Sequence, residues 1–152
     1  MFARRRAFSL IELVVVIVIL GIIATIALPR IGRTAVGASE SGLRQDLAIM
    51  RSAIESYRAE HRGSLPTLAN MPNALLQFSD LQGTLSPTQT ATAIYGPYLT
   101  QIPPQKVGEN AGLATFGAPA ATNTGWTYDE ATGELRANAT GADASGTNYA
   151  DY

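Results

Sequence analysis

At 152 residues the chain has room for one small domain beyond any targeting or membrane segment. Its net charge is −1, with no basic patch outside the start and the first helix, which excludes a strong intrinsic nucleic-acid binder. There is no cysteine, hence no disulfide, thiolate metal site or thiol nucleophile. The single histidine, His61, lies among Arg58, Glu60 and Arg62, where a solvated helix end is expected. No catalytic constellation can be assembled, and the chain reads as a non-enzyme with no required cofactor.

Arg4, Arg5 and Arg6 precede an apolar run that continues to Leu28, and Pro29 closes it. Between Arg6 and Arg30 the only ionisable side chain is Glu12. Left unpaired in hydrocarbon, such a charge costs about 2–4 kcal/mol, so an acid at this place marks a functional site. A cleaved secretory signal fits poorly, because the run is long and no small-x-small site follows it. A twin-arginine signal shares the Arg5-Arg6 pair but is usually less apolar. A retained transmembrane helix fits best, since about 20 apolar residues span a bilayer. The arginines then place the N-terminus in the cytoplasm and the rest of the chain across the membrane.

Past the apolar run, Val36, Leu43, Leu47, Met50, Ile54 and Tyr57 recur at helical spacing and predict one buried stripe. Glu40 with Arg44 and Arg51 with Glu55 are opposite charges at i,i+4 on the expected outer side. Gly63 and Pro66 stop the helix. A continuous helix over residues 8–62 would be about 80 Å long, interrupted by Pro29, which removes a hydrogen bond and kinks or locally melts it.

In the remaining 63–152, residues 70–83 read as a short helix with Pro72 in its first turn and Gly83 at its end. A Thr/Ser/Gln-rich connector follows over 84–92, then an extended, proline-punctuated stretch over 94–104. Trp126-Thr127-Tyr128 and Glu134-Leu135-Arg136-Ala137 flank a Gly-ended turn and predict a β-hairpin. With a strand near 113–116 they predict a small antiparallel sheet, with Trp126, Tyr128, Leu135 and Ala137 against the helix stripe. The Gly/Asn/Ser-rich end reads as a polar, partly ordered tail. Asn138-Ala139-Thr140 matches a glycosylation sequon and is read as chance.

Ala7 followed by Phe8-Ser9-Leu10-Ile11-Glu12-Leu13, with Pro29 ending the apolar run, resembles the leader of type IV pilins and type II secretion pseudopilins. The resemblance covers roughly the first thirty residues. It implies a cytoplasmic leader over 1–7, cut between Ala7 and Phe8 by a prepilin peptidase, and N-methylation of Phe8. The family usually has Gly where this chain has Ala7; both are small, and cleavage is expected. It further implies an α+β, pilin-like fold: a transmembrane and assembly helix over 8–29, an amphipathic helix over 30–62, and a periplasmic α+β domain over 63–152. Glu12 would neutralise the amine of a neighbouring subunit, and the Pro29 region would unwind on assembly.

The implied role is a subunit that self-assembles into a helical pseudopilus for type II secretion, in contact with lipid, other pseudopilins and an inner-membrane platform. A type IV or minor pilin is the alternative within the family. A single-pass anchored binding or sensing domain that never assembles is the alternative outside it. The GWTYD…TGELRAN block is similar, less specifically, to the C-terminal sheet of major pseudopilins. That similarity allows weak calcium binding at Asp143 and Asp151, with Asp129 nearby in composition, against the reading of a solvated tail.

Overall fold

The computed structural model describes residues 9–152, except that within the first helix the side chains of 26–35 fall outside the described set. Ala7 and Phe8, the expected cleavage and methylation positions, lie outside the described residues. The first element is α1, Leu10–Glu60. Its helical backbone continues through Pro29, without the local melting that is one of the two alternatives expected there; the proline side chain itself is outside the described set. The fold class is α+β, a long N-terminal helix with small sheets, consistent with a pilin-like fold.

The chain divides into two compact units, Met1–Ala38 and Ser39–Tyr152. In the first, the large apolar side chains from Leu10 to Ile23 are all exposed, Leu10 to 80% and Ile22 to 59%. No helix among the described residues is long and apolar enough to cross a membrane. The apolar run expected to do so extends past Thr25, beyond which its side chains are not described.

The second unit contains the core. Leu43, Leu47, Met50, Ile54 and Tyr57 are buried as the stripe predicted, whereas Val36 is exposed and belongs to the first unit. After Glu60 the chain leaves the helix through Arg62 and Gly63, both with positive φ, and Gly63 N–H returns to the Arg58 carbonyl at 2.8 Å. This is the left-handed exit that satisfies end carbonyls, and glycine adopts it without a Cβ penalty.

A single 3-10 turn, Leu68–Asn70, leads into α2, Met71–Leu76, shorter than the helix expected over 70–83. The reason is competition from later residues. Tyr98 N–H and Leu99 N–H both donate to the Leu75 carbonyl at 2.9 Å, and Ser79 exchanges both backbone hydrogen bonds with Tyr95. Phe78–Ser79 therefore forms β1, paired antiparallel with β2, Leu85–Ser86. Gly83 is a turn residue between them, at φ +82° with the Tyr57 hydroxyl where a Cβ would stand. The turn is built by Asp80, whose Oδ1 accepts Gln82 N–H and Thr84 N–H.

A second, three-stranded sheet joins β3 (Phe116–Gly117), β4 (Trp126–Asp129) and β5 (Glu134–Ala137) in that order. The β4–β5 hairpin is antiparallel, with Trp126 opposite Ala137 and Tyr128 opposite Leu135. Against the expected all-antiparallel sheet, β3 pairs parallel to β4. The intervening loop reverses the chain at Ala120 and Asn123, both at positive φ, and brings Gly125 to the Leu113 carbonyl. An added Cβ at Gly125 would lie 2.0 Å from that oxygen, so the crossing requires glycine.

Alternation buries Trp126, Tyr128, Leu135 and Ala137, which join Leu43, Leu47, Met50 and Ile54 in one core cluster. The polar handles of the aromatics are satisfied: Trp126 Nε1–H donates to the Pro103 carbonyl at 3.0 Å and the Tyr128 hydroxyl to that of Pro66 at 2.9 Å. Asn138 in the sequon is a hub for the same loop. Its Nδ2 donates to the Ala121 and Thr124 carbonyls and its carbonyl accepts from Asn110.

Candidate assembly segment and C-terminal cluster

The helix of the first unit opens on Ser9-Leu10-Ile11-Glu12. Ser9 N–H donates to Glu12 Oε2 at 2.9 Å, and Ser9 carbonyl accepts from Leu13 N–H at 3.3 Å. The backbone-to-Glu bond is one half of a capping box, in which a glutamate three residues after the cap turns back to the first amide. It draws the carboxylate towards the chain start rather than out to the side. Around it, Ile11, Val15 and Val16 form a shallow depression of about 400 Å³ with Glu12 as its one charged wall. The Ser-x-x-Glu spacing was legible in the sequence as a cap signal, but an acid in an apolar run draws attention to its charge first.

In the second unit, the i,i+4 pairs expected on the outer side of α1 do not form. Glu40 is buried, and its Oε1 accepts the Tyr149 hydroxyl at 3.2 Å. Arg44 reaches the C-terminal segment instead, with Nη2 2.8 Å from Asp143 Oδ2 and 2.7 Å from the Tyr152 hydroxyl. Its guanidinium carbon stands 4.9 Å from the Tyr152 ring centroid, a cation–π distance. One helical repeat further on, Arg51 donates through Nε and Nη2 to the Leu135 carbonyl on β5, at 3.1 and 2.7 Å, and also to the Tyr152 carbonyl. Glu55 pairs with Arg58 at 3.6 Å. Lys106 lies across Gly42 and meets Asp46 at 2.7 Å.

The Gly/Asn/Ser-rich end is thus built onto the domain. Asp143 N–H donates to the Thr147 carbonyl, Tyr149 N–H donates to the Gly141 carbonyl, and both Asp143 and Tyr149 are buried. Asp143 Oδ1 accepts Ser145 N–H at 2.8 Å and Thr147 N–H at 2.9 Å, while Oδ2 accepts from Arg44 and from the Tyr152 hydroxyl. The Tyr152 hydroxyl, the two amides and the Arg44 guanidinium hold the Asp143 carboxyl below the usual carboxylate range, and Tyr152 is pushed up in return.

A calcium ion needs six to eight oxygen ligands with lone pairs free, and both Asp143 oxygens face N–H and O–H donors. Asp151 is engaged separately by Asn148 Nδ2 at 3.0 Å. Among the described residues no group of three or more His, Asp and Glu side chains is placed to hold a metal ion.

His61 is the clearest departure from expectation. It is 2% exposed, stacked on Tyr57 at a centroid distance of 3.8 Å. Its Nδ1 lies 2.7 Å from the Tyr57 carbonyl and its Nε2 lies 3.0 Å from Ser79 Oγ. The carbonyl can only accept, so Nδ1–H donates to it, and Nε2 shares the second hydrogen bond with the Ser79 hydroxyl. The Ser–His bond has the geometry of an activated nucleophile, but Ser79 is completely buried and presents nothing to a substrate. The pair ties the end of α1 to β1.

No curated protein and no solved structure matches this chain. Residues 2–28 match the family model described as the prokaryotic N-terminal methylation motif, so the chain carries the type IV pilin-like prepilin signal of the pilin and pseudopilin families.

Proposed function

We propose that this chain is a filament subunit, stored in the membrane by its N-terminal helix, matured by prepilin peptidase between Ala7 and Phe8, and assembled into a pseudopilus of type II secretion. The observation that carries the reading is the matched signal over residues 2–28, continued by a helix whose described large apolar side chains, Leu10 to Ile23, are exposed. Head-to-tail contacts between such helices do not close and so propagate into a filament.

In lipid the apolar side chains are already out of water, so their burial alone drives little association; close helix contact and polar pairing decide it. Glu12 supplies the pairing. One carboxylate oxygen is held by Ser9 N–H, which aims the group towards the chain start. Cleavage would leave an ammonium on Phe8, and the free oxygen of Glu12 would receive the ammonium of a neighbour. Two opposite charges brought together and hydrogen-bonded cost far less than either alone, whereas a register that leaves one unpaired meets the full penalty. The domain from Ser39 onward would form the filament surface on the periplasmic side.

Intact-mass and N-terminal peptide analysis of the protein from its native membrane tests the reading. A mature chain starting at N-methylated Phe8 is expected. An intact Met1 would leave Glu12 without a neighbouring amine, and the anchored, non-assembling domain would replace the filament subunit.

A further inference from the structure

The C-terminal segment of the domain carries a buried carboxylate, Asp143, which needs a counter-charge. Here the positive charge comes from the chain. Arg44 projects from α1 to Asp143 Oδ2 at 2.8 Å and to the Tyr152 hydroxyl at 2.7 Å, and the Tyr152 hydroxyl also donates to Asp143. The other carboxylate oxygen is used by the amides of Ser145 and Thr147, which close the loop onto the same side chain. We infer that Arg44, Asp143 and Tyr152 form an internal counter-ion lock that replaces a divalent cation in fastening the C-terminal segment to α1.

Three observations point the same way. Calcium sits 2.3–2.6 Å from its oxygens, and at that distance from either Asp143 oxygen it would meet amide hydrogens or the guanidinium. The other acids of this end have donors of their own, Glu40 from Tyr149 and Asp151 from Asn148. Arg51 fixes the Tyr152 backbone carbonyl from one helical repeat along α1, so the tyrosine is held at both its backbone and its ring. A planar guanidinium can serve a carboxylate, a hydroxyl and a ring face at once, which a lysine ammonium cannot.

The test is the thermal melt of the full chain in detergent, in millimolar calcium and in EGTA. The wild-type Tm is expected to be the same in both, and terbium, used as a luminescent calcium surrogate, is expected to show no saturable tyrosine-sensitised emission. Arg44→Met and Asp143→Asn are each expected to lower Tm by several degrees in EGTA. Recovery of that loss by calcium in Arg44→Met alone would show the same lock opened to an external cation. Should Arg44→Met fail to fold, Arg44→Lys, which keeps the charge and loses the fork, gives the milder version of the shift. A wild-type Tm that rises saturably with calcium, saturable terbium emission from the wild type, or an Arg44→Met melt identical to the wild type would overturn the inference.

Discussion

The same residue types have opposite fates in the two units. Leu10, Val14, Ile17 and Ile22 stand exposed along the helix of the first, while Leu43, Leu47, Met50 and Ile54, at similar helical spacing on the same element, are sealed in the second. The difference is the supply of partners. Residues from 39 onward have Trp126, Tyr128 and Leu135 to cover them, and among the described residues of its own unit the earlier stretch has nothing to do so. One unit has its own core; on the proposed reading the other is a surface for lipid or a second copy. On that reading, its single acid, Glu12, would let it discriminate between them.

The most drastic way to break the comparison is Glu12→Leu. If the first unit serves assembly and the second folds alone, this change abolishes or scrambles filaments, read by electron microscopy and shear fractionation, while the domain's Tm stays at the wild-type value. Normal filaments in the variant would remove Glu12 from assembly. The converse is Trp126→Ala, which empties the centre of the core and costs about 3–5 kcal/mol in a denaturant titration. Processing at Ala7 and Phe8 should survive it, since those residues lie in the other unit.

A smaller effect is expected at the end of α1. His61→Ala removes two side-chain hydrogen bonds and leaves the Ser79 hydroxyl without its partner, while the Tyr57 carbonyl keeps the backbone N–H of residue 61. A stranded buried group costs about 1–3 kcal/mol, and the ring stacked on Tyr57 is lost with it, so the variant should be destabilised by about that much or somewhat more. A solvated histidine would give almost no change, so this variant separates the two readings of that helix end.

His61 also shows where sequence reasoning reaches and where it stops. The prepilin signal, the α1 stripe from Leu43 to Tyr57 and the β4–β5 hairpin are local patterns, visible in spacing and turn chemistry alone. His61 was hidden by its charged neighbours, and its burial depends on Ser79 and Tyr95, which come later in the chain. The overlong helix at 70–83 fails for the same reason, because segment 95–99 takes the carbonyl of Leu75 and the backbone of Ser79. Glu40 and Arg44 looked like partners because they are four apart. Each found a better one in Tyr149 and Asp143, at the far end of the chain, which no helix rule anticipates. The parallel pairing of β3 with β4 rests on a loop whose positive-φ residues, Ala120 and Asn123, carry only a weak turn signal.

The smallest effect expected concerns pH, and it sharpens the comparison from the side of the complete unit. The Asp143 carboxyl lies below its ordinary range because the Tyr152 hydroxyl, the Thr147 and Ser145 amides and Arg44 favour its charged form. A group whose folded pKa is depressed adds stability that is fully present above its unfolded value, about 3.9 for aspartate, and lost as pH falls through the folded value. Tyr152 works in the other direction: its hydroxyl is pushed up by donating to Asp143, so its contribution holds below about pH 10 and fades as pH rises further. Asp80 and Glu109 are also depressed, so the acid limb of the wild-type melt alone does not isolate Asp143. The difference in Tm between wild type and Asp143→Asn does. It should be constant from neutral pH down to about 4 and should close below that, as the wild-type carboxyl takes up its proton and comes to resemble the amide. A gap that stays open at pH 2 would mean that shape, and not charge, holds the C-terminal segment on α1.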